Sequence, residues 1–249
     1  MCGIAGFIDF KKNTGKEVLQ KMVVSLSHRG PDDSGVEIYE CEEAHVGFGH
    51  TRLSIIDLSS DGHQPMHYKH FSVVYNGEIY NYREIKEELI AEGNVFISAS
   101  DTEVLLHAFE RWGLEAVHKF FGMFVFVIYD SIAKKIYITR DRAGVKPLFY
   151  SMNKGLFLFG SELKALMAHP LFDKTIHAAS LTGYFHHGYI AAPYTIFKDA
   201  KKLESSHHLV LDLNNAQIEI SRYWSSTDFS ECLNGRLTMK LPKPNYIRC

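Results

Sequence analysis

Neither sign of charge is in excess in this chain: 27 lysines and arginines stand against 29 aspartates and glutamates, for a formal net charge of −2. Without a cationic surplus there is nothing to neutralise a phosphate backbone or an anionic lipid surface, so neither nucleic acid nor membrane is expected as a partner. No apolar run approaches the ~20 residues that span a bilayer. The opening MCGIAGFIDFKK also lacks the basic start and long apolar stretch of a secretory signal, and a cytoplasmic protein is expected. Cysteine is scarce. Cys2, Cys41, Cys232 and Cys249 are far apart and form no CxxC pair, which speaks against both a disulfide framework and a zinc site. The histidines of GHQPMHYKH (His63, His67 and His70) have no HExxH pattern to make them a metal cluster and read as loop and surface residues, so no metal is expected. There is no internal repeat and no low-complexity tract.

What is present is apolar residue in quantity. Of 249 residues, 46% are hydrophobic and 13% aromatic, enough to bury a large core. CGIAGFIDF is a short apolar run with two close glycines and reads as a buried strand. EVLQKMVVSLSHRG places Leu19, Met22, Val23 and Leu26 on one helical face, and the helix is expected to end near Gly30. Residues 36–58 and 71–79 alternate as strands. NYREIKEELIAEG reads as a helix with Asn81 and Glu84 as a capping box and Gly93 as its stop; SDTEVLLHAFERWG repeats the device with Ser100, Glu103 and Gly113. GMFVFVIYDSIAKKIYITRD and GVKPLFYSMNKGLFLFGSE each read as two strands around a turn. SELKALMAHP is a short helix closed by Pro170. A β-rich order with its helices grouped in the middle favours antiparallel sheets with helices packed on their outer faces.

The second residue poses a chemical question. If an aminopeptidase removes Met1, Cys2 gains a free α-amino group. A thiol with a pKa near 8.5 is only a few per cent thiolate at neutral pH, whereas an α-amine titrates at about 7.7–8.0. Nucleophile and base then share one residue. The alternative is that Cys2 is simply a small buried side chain at the start of a strand.

The rest of the sequence bears on that choice. MCGIAGF, RGPDDSG at 29–35, GHTRLSIIDLSSDGHQPM at 49–66, YNGEIYNY at 75–82, SDTE at 100–103 and RDRAGVKPLFY at 140–150 occur in one order. Together they resemble the glutaminase domain of a glutamine-dependent asparagine synthetase, a class II glutamine amidotransferase domain. Related branches that make amino sugars or begin purine synthesis typically carry TRWATHG where this chain has TRLSIID. The resemblance covers roughly residues 2–224 and implies an α+β fold, the four-layer αββα sandwich of antiparallel sheets of the N-terminal-nucleophile hydrolases. Residues 225–249 are then a tail or truncated linker.

The resemblance also implies roles, each with a plainer alternative. Asn76 and Gly77 would form an oxyanion hole, although Asn-Gly after alternating apolar residues is equally the signal of a hairpin turn. Arg52 would hold the substrate α-carboxylate through two parallel hydrogen bonds, or serve a structural ion pair. Asp101 would bind the α-ammonium, or cap a helix. Glu78 would help hold the glutamine, or sit solvated in a turn. Backbone groups around Ile55 and Ile56 would line the pocket. Arg140, Asp141, Lys146 and Pro147 are given no catalytic part.

Two departures stand out. The family continues into an ATP-using synthetase domain with an SGGxDS loop, which this sequence does not contain; ATP and magnesium are expected only there, and no cofactor in this chain. Glu204–Ser205–Ser206 also replaces a Pro-Gly turn common in relatives. The implied partners are L-glutamine and a synthetase domain or subunit using ATP and aspartate, and a homodimer is compatible with the pattern. Two functions stay open: glutamine hydrolysis by Cys2 as the ammonia-supplying half of an asparagine synthetase, or a non-catalytic, regulatory glutamine-binding remnant.

Overall fold

The computed structural model of the chain describes residues 1–54 and 60–227. Its strands are β1 (Gly3–Asp9), β2 (Asp33–Glu40), β3 (His45–Arg52), β4 (Met66–Tyr68), β5 (Phe71–Ile79), β6 (Gly122–Asp130), β7 (Lys135–Arg140), β8 (Phe149–Asn153), β9 (Leu156–Gly160), β10 (Ala200–Lys202), β11 (His207–Asp212) and β12 (Gln217–Arg222). The helices are α1 (Lys16–Val24), α2 (Tyr82–Ala91), α3 (Asp101–Trp112), α4 (Leu163–Met167) and α5 (Ala178–His187). One sheet has the order β10-β8-β9-β1-β3-β2 and the other β12-β11-β7-β6-β5-β4. Every strand pairing in them is antiparallel.

Apolar side chains collect in three places. Ile4, Ile8, Phe48, Val74 and Val125 lie between the sheets; Tyr75 of β5 clusters with Leu105 and Phe109 of α3; Phe7 of β1 clusters with Leu19 and Met22 of α1 and Leu166 of α4. The layers therefore run helix, sheet, sheet, helix, as expected from the four-layer resemblance. Because β1 is buried on both faces, its sequence reads as a nearly continuous apolar run rather than clean alternation.

Alternation still decides where each side chain goes. Ile4 and Ile8 face the space between the sheets, so Cys2 falls on the same side of β1. Phe48 and Val74 do the same, which puts Arg52 at the end of β3 and Asn76 in β5 on the inner faces. In the ladder Gly3 lies opposite Thr51, so one step further Cys2 meets Arg52. Period two thus brings three separated residues to one end of the inner layer.

Several local expectations change. The helix α1 stops at Val24, not near Gly30, and Leu26 is buried from the turn that follows. Asn81 holds the N-cap position of α2, but its side chain makes no cap bond. It donates to Lys119 O (2.9 Å) and accepts from Phe121 N–H (2.8 Å), so the box expected with Glu84 is not formed. Ser100 does cap α3, accepting from Thr102 N–H at 3.1 Å. Glu103 turns instead to the preceding loop, accepting from Ile97 N–H and from Ser98. The Glu204–Ser205–Ser206 turn survives its substitution: Ser206 adopts φ +62° and donates from its hydroxyl to Arg142 O (2.9 Å). The tail expected at 225–249 lies, from residue 228 on, outside the described residues.

Candidate active site

Cys2 is half-buried just ahead of β1. Its sulfur accepts a hydrogen bond from Leu53 N–H at 3.4 Å, and its carbonyl accepts from Arg29 Nε at 2.9 Å. Arg29 is fixed in turn by Glu162, 2.8 Å from Nη1. Burial opposes the charge on Glu162, but hydrogen bonds from Arg29, His28 and Lys164 outweigh it and hold the carboxyl at about 2. Two residues on, Ile4 N–H donates to Ser161 Oγ at 3.0 Å. The chain start is thus pinned on both sides of the cysteine. Met1 is 56% exposed at the rim of the same cavity.

Asn76 lies in the middle of a strand. It pairs with Val125 of β6 and Gly77 pairs with Phe124, so the hairpin-turn reading of Asn-Gly is overturned. A strand continues here because β6 matches it residue for residue, and Gly77 is required because a Cβ would come within 2.5 Å of Met123 O. Asn76 is 1% exposed, yet among the described residues its Nδ2 has no hydrogen-bond partner. A buried donor left unmade costs about 1–3 kcal/mol. Tyr75 N–H and Ile79 N–H both turn away from β6, to Gln64 and Asp101 respectively. By the period of two, Gly77 N–H points to that same open edge. Two donors therefore aim into the cavity that Cys2 lines.

The charged residues sit around them. Arg52 is buried, opposite Asp33 in the β2–β3 ladder. A Cβ at Gly62 would run into its guanidinium, so glycine there permits the close approach. Asp33 is held below the usual carboxylate range: burial opposes this, but the His63 hydrogen bond (2.7 Å) and charge, the Ser34 N–H and the Arg52 charge prevail. Asp101 opens α3 but does not cap it. Its carboxylate, 5% exposed, accepts from Tyr75 OH (2.8 Å) and Ile79 N–H (3.0 Å). Burial pushes the Asp101 carboxyl up, and those two donors pull against that. Glu78 joins Arg52, Asp101, Asn76, Gly77 and Cys2 around the cavity. The Arg52 guanidinium and two carboxylates beside a thiol and two donors can hold a zwitterionic amino acid while its side-chain carbonyl is attacked.

Ile55 and Ile56 lie outside the described residues. Lys146, 3% exposed, lines the cavity although sequence reasoning gave it no part; the signal was its place in RDRAGVKPLFY. Gln64, Tyr75 and Thr102, to which the sequence by itself assigns no part, also line it. His63 and His67 pair with Asp33 (2.7 Å) and Glu37 (2.9 Å) across the sheet edges, as surface residues would. Among the described residues no group of three or more His, Cys, Asp or Glu side chains is arranged to hold a metal ion, and no helix is long and apolar enough to cross a membrane.

Residues 1–224 match the model of a family described as a glutamine amidotransferase domain. A putative glutamine-hydrolyzing asparagine synthetase 2 of Methanocaldococcus jannaschii is 40% identical over 247 residues, covering 92% of this chain and 47% of that protein. The glutamine-hydrolyzing asparagine synthetase 3 of Bacillus subtilis is 41% identical over 232 residues, covering 90% of this chain and 37% of its own length. The chain thus spans less than half of either relative. Among solved structures, glutamine phosphoribosylpyrophosphate amidotransferase from B. subtilis superposes with a TM-score of 0.67 at 17% identity, over 90% of this chain and 50% of that one. An allosteric regulatory enzyme of purine biosynthesis gives 0.68 at 18% identity, with the same coverage. At such identities these two speak for the fold alone.

Proposed function

This chain belongs to the glutamine amidotransferase domain family, and from that premise we propose that it hydrolyses L-glutamine to glutamate and ammonia through a thioester on Cys2. The observation that carries the reading is the buried, unpartnered Nδ2 of Asn76 facing the cavity that Cys2 lines. A donor kept dry and unpaired has a use when an oxyanion forms in front of it. A remnant with no reaction to perform has no such use, and the non-catalytic alternative is not favoured.

The reaction runs on this chain's own groups. With Met1 removed, the Cys2 α-amine takes the thiol proton and the sulfur attacks the carboxamide carbon. The C=O electrons move to oxygen, where Asn76 Nδ2 and Gly77 N–H donate to it. As the C–N bond breaks, the amine returns its proton to the leaving nitrogen, releasing ammonia and leaving a γ-glutamyl thioester. A water gives a proton to the same amine, attacks the thioester and frees glutamate and the thiol. Arg52 holds the α-carboxylate; Asp101, with Glu78, holds the α-ammonium; the backbone near Ile55 and Ile56 completes the pocket.

Residues 1–224 form the glutaminase unit in this reading, and 225–249 a tail or a truncated linker towards a synthetase domain. The relatives' names point to the ammonia's destination: an ATP-dependent amidation of aspartate by a synthetase domain or subunit. ATP and magnesium have their place there, since this sequence holds no SGGxDS loop. The test is amino-acid analysis after incubation with isotopically labelled glutamine, aspartate, ATP and Mg²⁺. Labelled glutamate without asparagine is expected, together with an intact mass lacking Met1. Glutamate release by Cys2→Ala at the wild-type rate would overturn the reading.

A further inference from the structure

Tyr75 makes three hydrogen bonds, and none reaches the reacting atoms. Its N–H donates to Gln64 Oε1 (2.7 Å), its carbonyl accepts from His50 Nε2 (3.1 Å), and its phenol donates to Asp101 Oδ2 (2.8 Å). Gln64 then donates from Nε2 to Thr102 Oγ1 (3.3 Å) in the first turn of α3. Tyr75 therefore ties strand β5 to the start of α3 twice, once through its ring and once through its backbone, beside the bond from Ile79 N–H to Asp101. The tie is dry: Tyr75 is 3% exposed and Gln64 5%.

Its geometry bears on one atom. Both hydrogen bonds that Asp101 accepts from Tyr75 and Ile79 end on Oδ2. A carboxylate is otherwise loosely held about its last torsion, which is broad and two-fold. With Oδ2 engaged twice, Oδ1 is the oxygen left to a ligand. Ser100 has taken over the helix cap, so Asp101 is not needed there.

We propose that Tyr75 is a positioning residue that sets specificity for the substrate's α-ammonium group, by holding the Asp101 carboxylate with Oδ1 turned into the cavity. The proposal rests on the reading of Asp101 as the ammonium ligand. The Tyr75 phenol acts through the carboxylate, to which it donates its one hydrogen bond. Gln64 supports it from behind by fixing the backbone from which the ring projects.

The test compares glutamine with 4-carbamoylbutanoate, which is glutamine without its α-amino group, on the full chain. In Tyr75→Phe the KM for glutamine is expected to rise about tenfold, the loss of one hydrogen bond to a charged group, with kcat within about twofold. The kcat/KM for the analogue stays within about twofold, so discrimination between the two falls about tenfold. A general loosening of the fold would instead lower both substrates together, and that result, or no change in either, overturns the proposal. Calorimetric binding of glutamine to Cys2→Ala separates the two levels. Binding that Tyr75→Phe leaves unchanged in that background overturns this inference alone, and absence of any binding overturns the glutaminase reading and the inference with it. Should Tyr75→Phe not fold, Gln64→Met carries the test, with discrimination falling at least about threefold if the tie matters and unchanged if it does not.

Discussion

In the proposed reaction Asn76 concentrates the stabilisation of the oxyanion in one nitrogen. Its Nδ2 is buried and unpaired, a cost the fold carries in the resting state. Asn76→Ala removes that donor, and kcat for glutamine hydrolysis is expected to drop by about 10²–10³ with KM little changed. Steady-state kinetics on the processed protein check it, and an equal loss in KM would mean that Asn76 serves binding instead. Little of this was legible in the residues themselves. Asn-Gly reads as a turn on local grounds, and only the match of β6 to β5 across their whole length makes it a strand interior. Asp101 looked like one cap among two; the structure gives the cap to Ser100 and frees Asp101. Gln64 gave no signal at all, because a glutamine in a polar stretch looks solvated until its two partners, Tyr75 and Thr102, are known.

Secondary structure was legible wherever both ends carried punctuation. The runs around Asn153–Gly155, the stops at Gly93 and Gly113 and the strand at β1 all fall where turn residues and apolar periodicity agree. α5 and β10 to β12 were not read. α5 buries only Ser180 and leaves Phe185 79% exposed, so it shows no apolar stripe to detect. The β11–β12 turn also lacks its usual residue: Ala216 stands there at φ +57°. A left-handed alanine costs about 1–2 kcal/mol, of which glycine gives back part in chain entropy. Ala216→Gly is therefore expected to stabilise the protein by about 0.5–1 kcal/mol, read as a higher denaturation midpoint at unchanged m. A lower midpoint would mean that the turn tolerates the alanine without strain.

For the molecule as a whole, burial of titratable groups sets a pH window. Burial first, opposed by the hydrogen bond to Tyr75, brings His50 from its usual 6.5 down to about 3. Burial likewise brings His208 from 6.5 to about 4, with the charges of His118 and His207 adding to it. The unfolded chain protonates both near 6.5 while the folded one resists, so their contribution is complete above that pH and is lost as pH falls towards 4 and then 3. Glu162 adds a further loss between its usual 4.5 and about 2. At the other end Tyr39, Tyr129 and Tyr223 are raised by burial above their usual 10, so the folded state loses ground once the unfolded phenols ionise. The free energy of unfolding by urea is thus expected to be flat from about pH 6.5 to about pH 10 and to fall on both sides. His208→Gln should flatten the acid limb between about pH 6.5 and 4, and an unaltered limb would show that His208 is not part of it.

One row of the first sheet joins the genetic message to the chemistry. Cys2 faces inward only because it stands an even number of residues before Ile4, one ladder step beyond Gly3 and Thr51. A single codon inserted between Cys2 and Gly3 would keep the thiol at the terminus and leave every buried contact of β1 intact, yet it would send the sulfur out through the opposite face, towards α1. Melting should be unmoved and hydrolysis lost, whereas a second inserted codon would turn the sulfur inward again, one step out of reach of Asn76. The spacing of Cys2 from Ile4 is in this sense a coordinate of the active site, and one residue inserted or deleted between them edits the chemistry without touching the fold.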